Sequence, residues 1–291
     1  MRTDANTDPF ENGSFAGKVA IVTGSTQGLG AATASLFAAR GAEGLVITGR
    51  NVERGEAVAA ALNTETTKAI FVPAELADAD SCQALIAAAD TEFGRIDVLV
   101  NAAAYTVRGS VVDTTVELWD QMMNINARAP FLLTQGAAAV MRRQQTPGSI
   151  VNISSVAAHG GQSFLNPYVA SKAALNALTK NAAFALAPDR IRINVIAPGW
   201  MNTEGEDLIQ RRFHGGDDTW YEQAAAEQPF GRLIDPHEAA RAIAFAASDE
   251  SGLMTGAIID FDQRVIGTGT PENPGVVSLR DTDWGQAEVL G

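Results

Sequence analysis

Seven short runs of aliphatic and β-branched residues punctuate the chain, and most of them place apolar residues at consecutive positions. They read "KVAIVTG" from Lys18, "GLVITGR" from Gly44, "AIFVPAEL" from Ala69, "IDVLVNAA" from Ile96, "GSIVNISS" from Gly148, "IRINVIAPG" from Ile191 and "GAIIDFD" from Gly256. A strand that is apolar on both faces must be covered on both, which is the situation of a parallel sheet under two layers of helix. Ala-rich stretches with helical periodicity fall between the runs, near 29–40, 52–62, 81–93, 117–143, 168–187 and 236–247. The pattern predicts a single-domain α/β fold, a doubly wound parallel sheet of about seven strands with helices on both faces.

The domain is expected over 18–263, after a polar N-terminal extension at 1–17. Two segments stand outside the rhythm, and both are expected to lie peripheral to the sheet. Residues 203–230, "TEGEDLIQRRFHGGDDTWYEQAAAEQPF", form a charged, Gly-containing insert, and 264–291 read as a polar arm or tail.

Charge narrows the choice of partners. With 34 acidic against 21 basic residues among 291, the net charge is −13, which disfavours general binding to nucleic acid or an anionic membrane. Cys82 is alone and only His159, His214 and His237 are present, so neither a disulfide framework nor a clustered metal site is expected. The polar start lacks an apolar signal region and no run is long enough to span a bilayer, so the expectation is a cytoplasmic protein.

The candidate chemistry sits at strand ends. "TGSTQGLG", Thr23 to Gly30, closes the first strand and opens the first helix. In that context the Gly-rich turn lets backbone N–H groups approach a pyrophosphate, with the positive end of the helix behind them. This marks Gly24, Ser25, Thr26, Gln27, Gly28, Leu29 and Gly30 as cofactor-binding. At the end of the fourth strand, Asn101, Ala102 and Ala103 begin "NAAA", where small residues permit a cofactor to pass close to the backbone. Ser155 ends the fifth strand thirteen residues before Tyr168, and Ser154 is the alternative, pointed the other way by strand alternation. In "PYVASKAAL", Tyr168 and Lys172 are four apart and share one helix face, so the ammonium can approach the phenol and favour its phenolate.

Taken together and in this order, TGxxxGxG, NAxA, Ser155, YxxxK and the "PG" at Pro198 resemble the short-chain dehydrogenase/reductase family in its single-domain, Rossmann-like branch. The resemblance runs from about Lys18 to Asp262. It implies that Tyr168 is the general acid/base, Lys172 lowers its pKa and binds the nicotinamide ribose, Ser155 orients the substrate oxygen, and Asn126 completes a tetrad. It also implies a homotetramer, adenine contacts at Glu75 and Leu76, cofactor contacts at Pro198 and Gly199, and a carboxamide contact at Thr203, with Asn202 the alternative. This chain departs from the family pattern in "NAAA", in Glu75 for the usual Asp, in "DFDQ" at the last strand, and in the long insert and tail.

Arg50 follows the second strand where an acid would read a ribose 2′-OH, which favours NADP(H) over NAD(H). Pro130 falls four residues after Asn126 inside the predicted helix 117–143 and has no N–H to give the Asn126 carbonyl. That leaves either an acceptor for a relay water or a plain kink. His159 borders the substrate space beside Ser155 and Tyr168, as a substrate contact or a solvated loop residue. In the insert, Phe213, Trp220 and Tyr221 are expected to cover the site as a lid hinged at Gly205, Gly215 and Gly216. The function expected is interconversion of a secondary alcohol and a ketone on a small polar molecule such as a sugar or polyol. The alternatives are a 3-oxoacyl-thioester reductase and a nucleotide-binding protein without catalysis.

Overall fold

The computed structural model describes residues 13–267. All seven predicted strands form: β1 Val19–Val22, β2 Gly44–Gly49, β3 Lys68–Pro73, β4 Val98–Asn101, β5 Gly148–Ile153, β6 Ile191–Pro198 and β7 Ile258–Phe261. Every pairing is parallel, in the order β3-β2-β1-β4-β5-β6-β7. The crossovers carry α1 Gly28–Ala39, α2 Val52–Leu62, α3 Ala79–Phe93, α4 Val116–Met123, α5 Ala129–Gln144 and α6 Asn166–Leu186, and α9 Pro236–Ala247 precedes β7.

Strand alternation divides the consecutive apolar residues between two cores. Ala20 and Val22 of β1 face one way, onto Ala34 and Phe37 of α1 and Ile243 of α9. Ile21 between them faces the other way, among Leu85 of α3 and Leu133 of α5. Each large aliphatic side chain buried in this way contributes about 1.5–3 kcal/mol of transfer free energy, so the sheet is held from both sides. At the carboxyl ends of the strands, β1 and β4 are neighbours while the chain leaves them toward opposite flanks. The crevice of a doubly wound sheet opens at that switch point.

Two boundaries differ from the sequence reading. Helix 117–143 is broken into α4 and α5 by a five-residue π turn, Asn124–Arg128, in which the N–H of Ala129 reaches the Asn124 carbonyl. Pro130, in the first turn of α5, lacks the donor that an unbroken α-helix needs at this point, and the wider turn absorbs the loss. The polar extension ends earlier than residue 17. Phe15 is fully buried and stacks on Phe37 with centroids 4.0 Å apart, so it belongs to the core. Residues 1–12 and 268–291, most of the expected extension and tail, lie outside the described residues.

The insert forms α7 Glu204–Phe213 and α8 Trp220–Ala226. Trp220 is buried among Ala224, Leu233, Trp200 and Tyr221, and its indole N–H donates to Asp207 at 2.7 Å. Gly205 lies inside α7, so it is not a hinge.

Candidate active site

The glycines of the first βα turn have steric reasons. Gly24 has φ +64°, and a Cβ there would stand 2.8 Å from the Cα of Ala103. A Cβ on Gly30 would lie 2.4 Å from the carbonyl oxygen of Gly24. Thr23 ties the turn to β4 by accepting from the N–H groups of Ala102 and Ala103, both at 3.0 Å. No side chain caps α1 at Gln27, and Gly28, Leu29 and Gly30 of its first turn line a cleft of about 870 Å³. An uncapped helix start, small residues and a close backbone approach suit a dinucleotide pyrophosphate.

Gly24, Thr26, Gln27, Arg50, Glu75 and Leu76 line the same cleft, as do Ala102, Ala103, Pro198, Gly199 and Thr203. Asn202, the alternative to Thr203, does not line it. Thr203 also caps α7 by accepting from the N–H of Glu206 at 3.1 Å, so the insert starts directly over the Gly-rich turn. Two expected cofactor contacts are turned inward. Ser25 is fully buried, donates to the Val22 carbonyl and accepts from the N–H of Thr48, which joins β1 to β2. Asn101 donates to Asn152 at 2.8 Å, and Asn152 donates to Thr179, so this ladder pins β4 to β5 and α6.

Ser155, Tyr168 and Lys172 meet on the cleft wall. The hydroxyl of Ser155 hydrogen-bonds the phenol oxygen of Tyr168. Ser154 is buried and points toward the Lys172 carbonyl at 3.3 Å, as strand alternation predicts, although it too borders the cleft. Lys172 is 2% exposed, donates to the Ile153 carbonyl at 2.7 Å and lies 5.7 Å from the Tyr168 ring centroid. Burial dominates both groups. It pushes the Tyr168 phenol up to about 12, against the opposing hydrogen bond from Ser155; Glu206 raises it further and Arg108 lowers it. Burial also pushes the Lys172 ammonium down to about 7. In the nucleotide-free protein the phenol is therefore held neutral by burial.

Two further expected site residues lie off the cleft wall. Asn126 is fully buried and does not line the cleft; its amide accepts from the N–H of Tyr105 at 2.7 Å and donates to the Tyr105 carbonyl at 2.9 Å and to Ser171 at 3.1 Å. His159 is exposed, turned to Asp260 at 3.1 Å and outside the cleft.

The structure adds residues that no motif marks. Arg108, after β4, lines the cleft with its side chain 14% exposed. Its Nε donates to His214 at 3.0 Å and its Nη2 stands 3.7 Å from Glu206, both on the insert side. Glu206, Gln210 and His214 of the insert line the cleft, together with Thr203, Gly205, Glu227 and Gln228, whereas Phe213, Trp220 and Tyr221 do not. Asp262, Arg264 and Ile266 also line it, so the start of the presumed tail is part of the site. At Gly199 a Cβ would lie 2.1 Å from Asp262 Oδ1, so the glycine lets the Asp262 carboxylate approach the backbone there.

Residues 24–263 match the sequence profile described as enoyl-(acyl carrier protein) reductase. The chain belongs to the short-chain dehydrogenase/reductase family. Cis-4-hydroxycyclohexanecarboxylate dehydrogenase of Sinomonas cyclohexanicum is 38% identical over 249 residues, 85% of this chain and 96% of that protein. The trans-4-hydroxycyclohexanecarboxylate dehydrogenase of the same organism is 36% identical, over 84% of this chain and 91% of its own. A 3-oxoacyl-(acyl-carrier-protein) reductase of Thermotoga maritima is 35% identical, covering 84% and 96%. A solved short-chain dehydrogenase/reductase family protein superposes with a TM-score of 0.73 at 34% identity, over 86% of this chain and 97% of its own. As a short-chain dehydrogenase/reductase, the protein is an oxidoreductase of a family that works with a nicotinamide dinucleotide.

Proposed function

We propose that the protein interconverts a secondary alcohol and a ketone on a small polar molecule, with a hydroxylated ring the favoured class. The observation that carries this reading is the convergence of Ser155, Tyr168 and Lys172 on one wall of the cleft that the Gly-rich turn floors. The dinucleotide, when bound, supplies the acceptor or donor of the hydride. Ser155 holds the substrate oxygen beside the phenol. In the oxidative direction the phenolate of Tyr168 takes the hydroxyl proton while the carbinol carbon gives up its hydrogen with the electron pair, leaving a ketone; reduction runs the same path backward. Lys172 contributes through charge: acceptors such as ribose hydroxyls favour its ammonium, and that charge together with a cationic ring favours the phenolate.

Arg50, exposed at the cleft edge, supports a preference for NADP(H) through a charge-assisted contact to the 2′-phosphate, with NAD(H) still usable. Steady-state assays over hydroxylated rings, sugars, polyols, steroids and 3-oxoacyl thioesters with both dinucleotides test the reading. A best kcat/KM for an acyl thioester would select the second reading, a 3-oxoacyl-thioester reductase, which the Thermotoga relative favours. No hydride transfer with any compound would leave a non-catalytic nucleotide binder.

The cytoplasmic setting belongs to the same proposal; among the described residues no helix is long and apolar enough to cross a membrane. So does the homotetramer. Ala137 and Ala138 pack inward, and Gly136 sits against Ile86 of α3. One apolar surface open to another subunit is the shallow groove lined by Phe131, Ala174, Ala177 and Leu178, with Phe131 47% exposed. A monomeric mass in light scattering at micromolar concentration would refute it.

A further inference from the structure

Arg108 stands apart from the machinery just described. A guanidinium taken out of water needs hydrogen-bonded anionic compensation, because desolving it without a close partner costs several kcal/mol. Arg108 has a neutral imidazole on Nε at 3.0 Å, the Thr106 carbonyl on Nη1 at 3.2 Å, and the Phe164 ring 5.5 Å from its Cζ. Its nearest carboxylate, Glu206, is 3.7 Å from Nη2, beyond hydrogen-bond reach, and that carboxylate already accepts from the Trp200 indole at 2.9 Å and from Gln210 at 2.7 Å. The charge is therefore in the substrate space and incompletely matched. His214 is fixed in kind: because Arg108 donates to Nε2, a neutral His214 carries its proton on Nδ1 and is a second donor. Burial and the Arg108 charge hold its pKa below the usual histidine value, which keeps it neutral.

We infer that Arg108 is the specificity-determining residue of the site and reads a carboxylate on the substrate, so that the molecule oxidised or reduced is a hydroxy- or oxo-carboxylic acid. The inference rests on the alcohol–ketone reading above and adds the second functional group. Guanidinium N–H groups meet a carboxylate bidentately at hydrogen-bond distance, a geometry that Glu206 does not offer here. The Phe164 ring below the guanidinium supplies an apolar flank for the carbon skeleton. Tyr168 lines the same cleft as Arg108 and Phe164, so one small molecule can present its carboxylate to Arg108 and its carbinol to Tyr168.

The test uses the full chain with NADP⁺ and with NAD⁺. Rates are compared for cis-4-hydroxycyclohexanecarboxylate, its methyl ester and its carboxamide, and calorimetry follows binding of the unreactive cyclohexanecarboxylate and cyclohexanecarboxamide. Expected results are a kcat/KM for the acid about 100-fold above that of the ester, carried in KM, and binding of cyclohexanecarboxylate but not its amide; a bidentate charged contact has that size. R108M should collapse the acid-to-ester ratio to about one, and R108K should restore part of it. E206Q, which removes the competing charge, should lower KM for the acid. Equal use of acid and ester by the wild type overturns the inference while leaving the alcohol–ketone reading intact. A change in R108M confined to kcat and its pH profile, equal for acid and ester, also overturns it and assigns Arg108 to tuning Tyr168. If no compound is turned over, the alcohol–ketone reading fails, and the calorimetric comparison still decides whether a carboxylate is recognised.

Discussion

The ammonium of Lys172 lies 5.7 Å from the centre of the Tyr168 ring and gives its hydrogen bond at 2.7 Å to the Ile153 carbonyl at the end of β5, not to the phenol. The two side chains share a face of α6, as their spacing requires, yet their contact is ammonium to ring face and not ammonium to hydroxyl. Removing either one should therefore have a different signature.

Tyr168→Phe deletes the transferable proton and the acceptor for Ser155 while preserving the ring. Turnover should fall by about 10²–10⁴-fold, the usual contribution of a positioned acid/base. Dinucleotide affinity, followed by fluorescence titration, should be nearly unchanged. Equal rates in mutant and wild type would remove Tyr168 from the chemistry. Lys172→Ala should damage both turnover and dinucleotide binding, and intact binding would exclude the ribose contact.

Lys172 also predicts a pH dependence of stability. Its folded pKa is about 7, and an unfolded lysine has about 10.4. Between those values the unfolded chain holds a proton that the folded chain lacks, so the stability of the nucleotide-free protein rises with pH across that window. Below about 7 both states are protonated and the penalty for burying the charge is fully present. Urea denaturation of wild type and Lys172→Met at pH 7 and pH 9 isolates the effect: the wild-type advantage should grow with pH, by at most about 1.4 kcal/mol per unit. Parallel pH profiles would mean that Lys172 stays charged in the fold. Tyr168 acts in the opposite sense above pH 10, where the folded phenol keeps a proton that the unfolded one releases.

Arg50→Ala should weaken NADP(H) binding more than NAD(H) binding by about 1.5–3 kcal/mol, the value of a hydrogen bond to a charged group. The ratio of the two dissociation constants is the measurement. An unchanged ratio would make Arg50 a solvated residue of the β2–α2 turn and would direct attention to Arg54, which reaches the Gln27 side chain beside the same turn.

How much was legible follows from what each residue does. The sheet could be read because parallel strands need apolar residues on both faces, and β1 distributes Ala20, Ile21 and Val22 to two cores as that rule demands. Ser155, Tyr168 and the glycines could be read because they act within a few residues of a strand or helix end. For Ser25 and Asn101 the motif marks where a residue sits and not which way it turns: the Ser25 hydroxyl and the Asn101 amide N–H join neighbouring strands. Arg108 was invisible because its partners Glu206 and His214 come from an insert about a hundred residues later, and no local periodicity encodes that meeting.

Asn126 offers the sharpest separation of positioning from chemistry. Its amide clamps both backbone groups of Tyr105, a residue of the cleft lining, and also holds Ser171, whose hydroxyl donates to the Tyr168 carbonyl at 2.8 Å. Asn126→Ala leaves those groups unpaired, at about 1–3 kcal/mol for each that stays buried, so the unfolding midpoint should drop. It also loosens the first turn of α6, so kcat should fall while dinucleotide affinity changes little. Pro130→Ala works on the same turn from the backbone: a new N–H at residue 130 favours an ordinary α-helical bond to the Asn126 carbonyl over the π turn of Asn124–Arg128. If that carbonyl serves proton transfer, the variant should slow the proton-dependent step and shift the pH–rate profile without loss of stability. A profile identical to wild type, with only the melting temperature altered, would assign Pro130 to shaping the turn and leave Asn126 as a clamp.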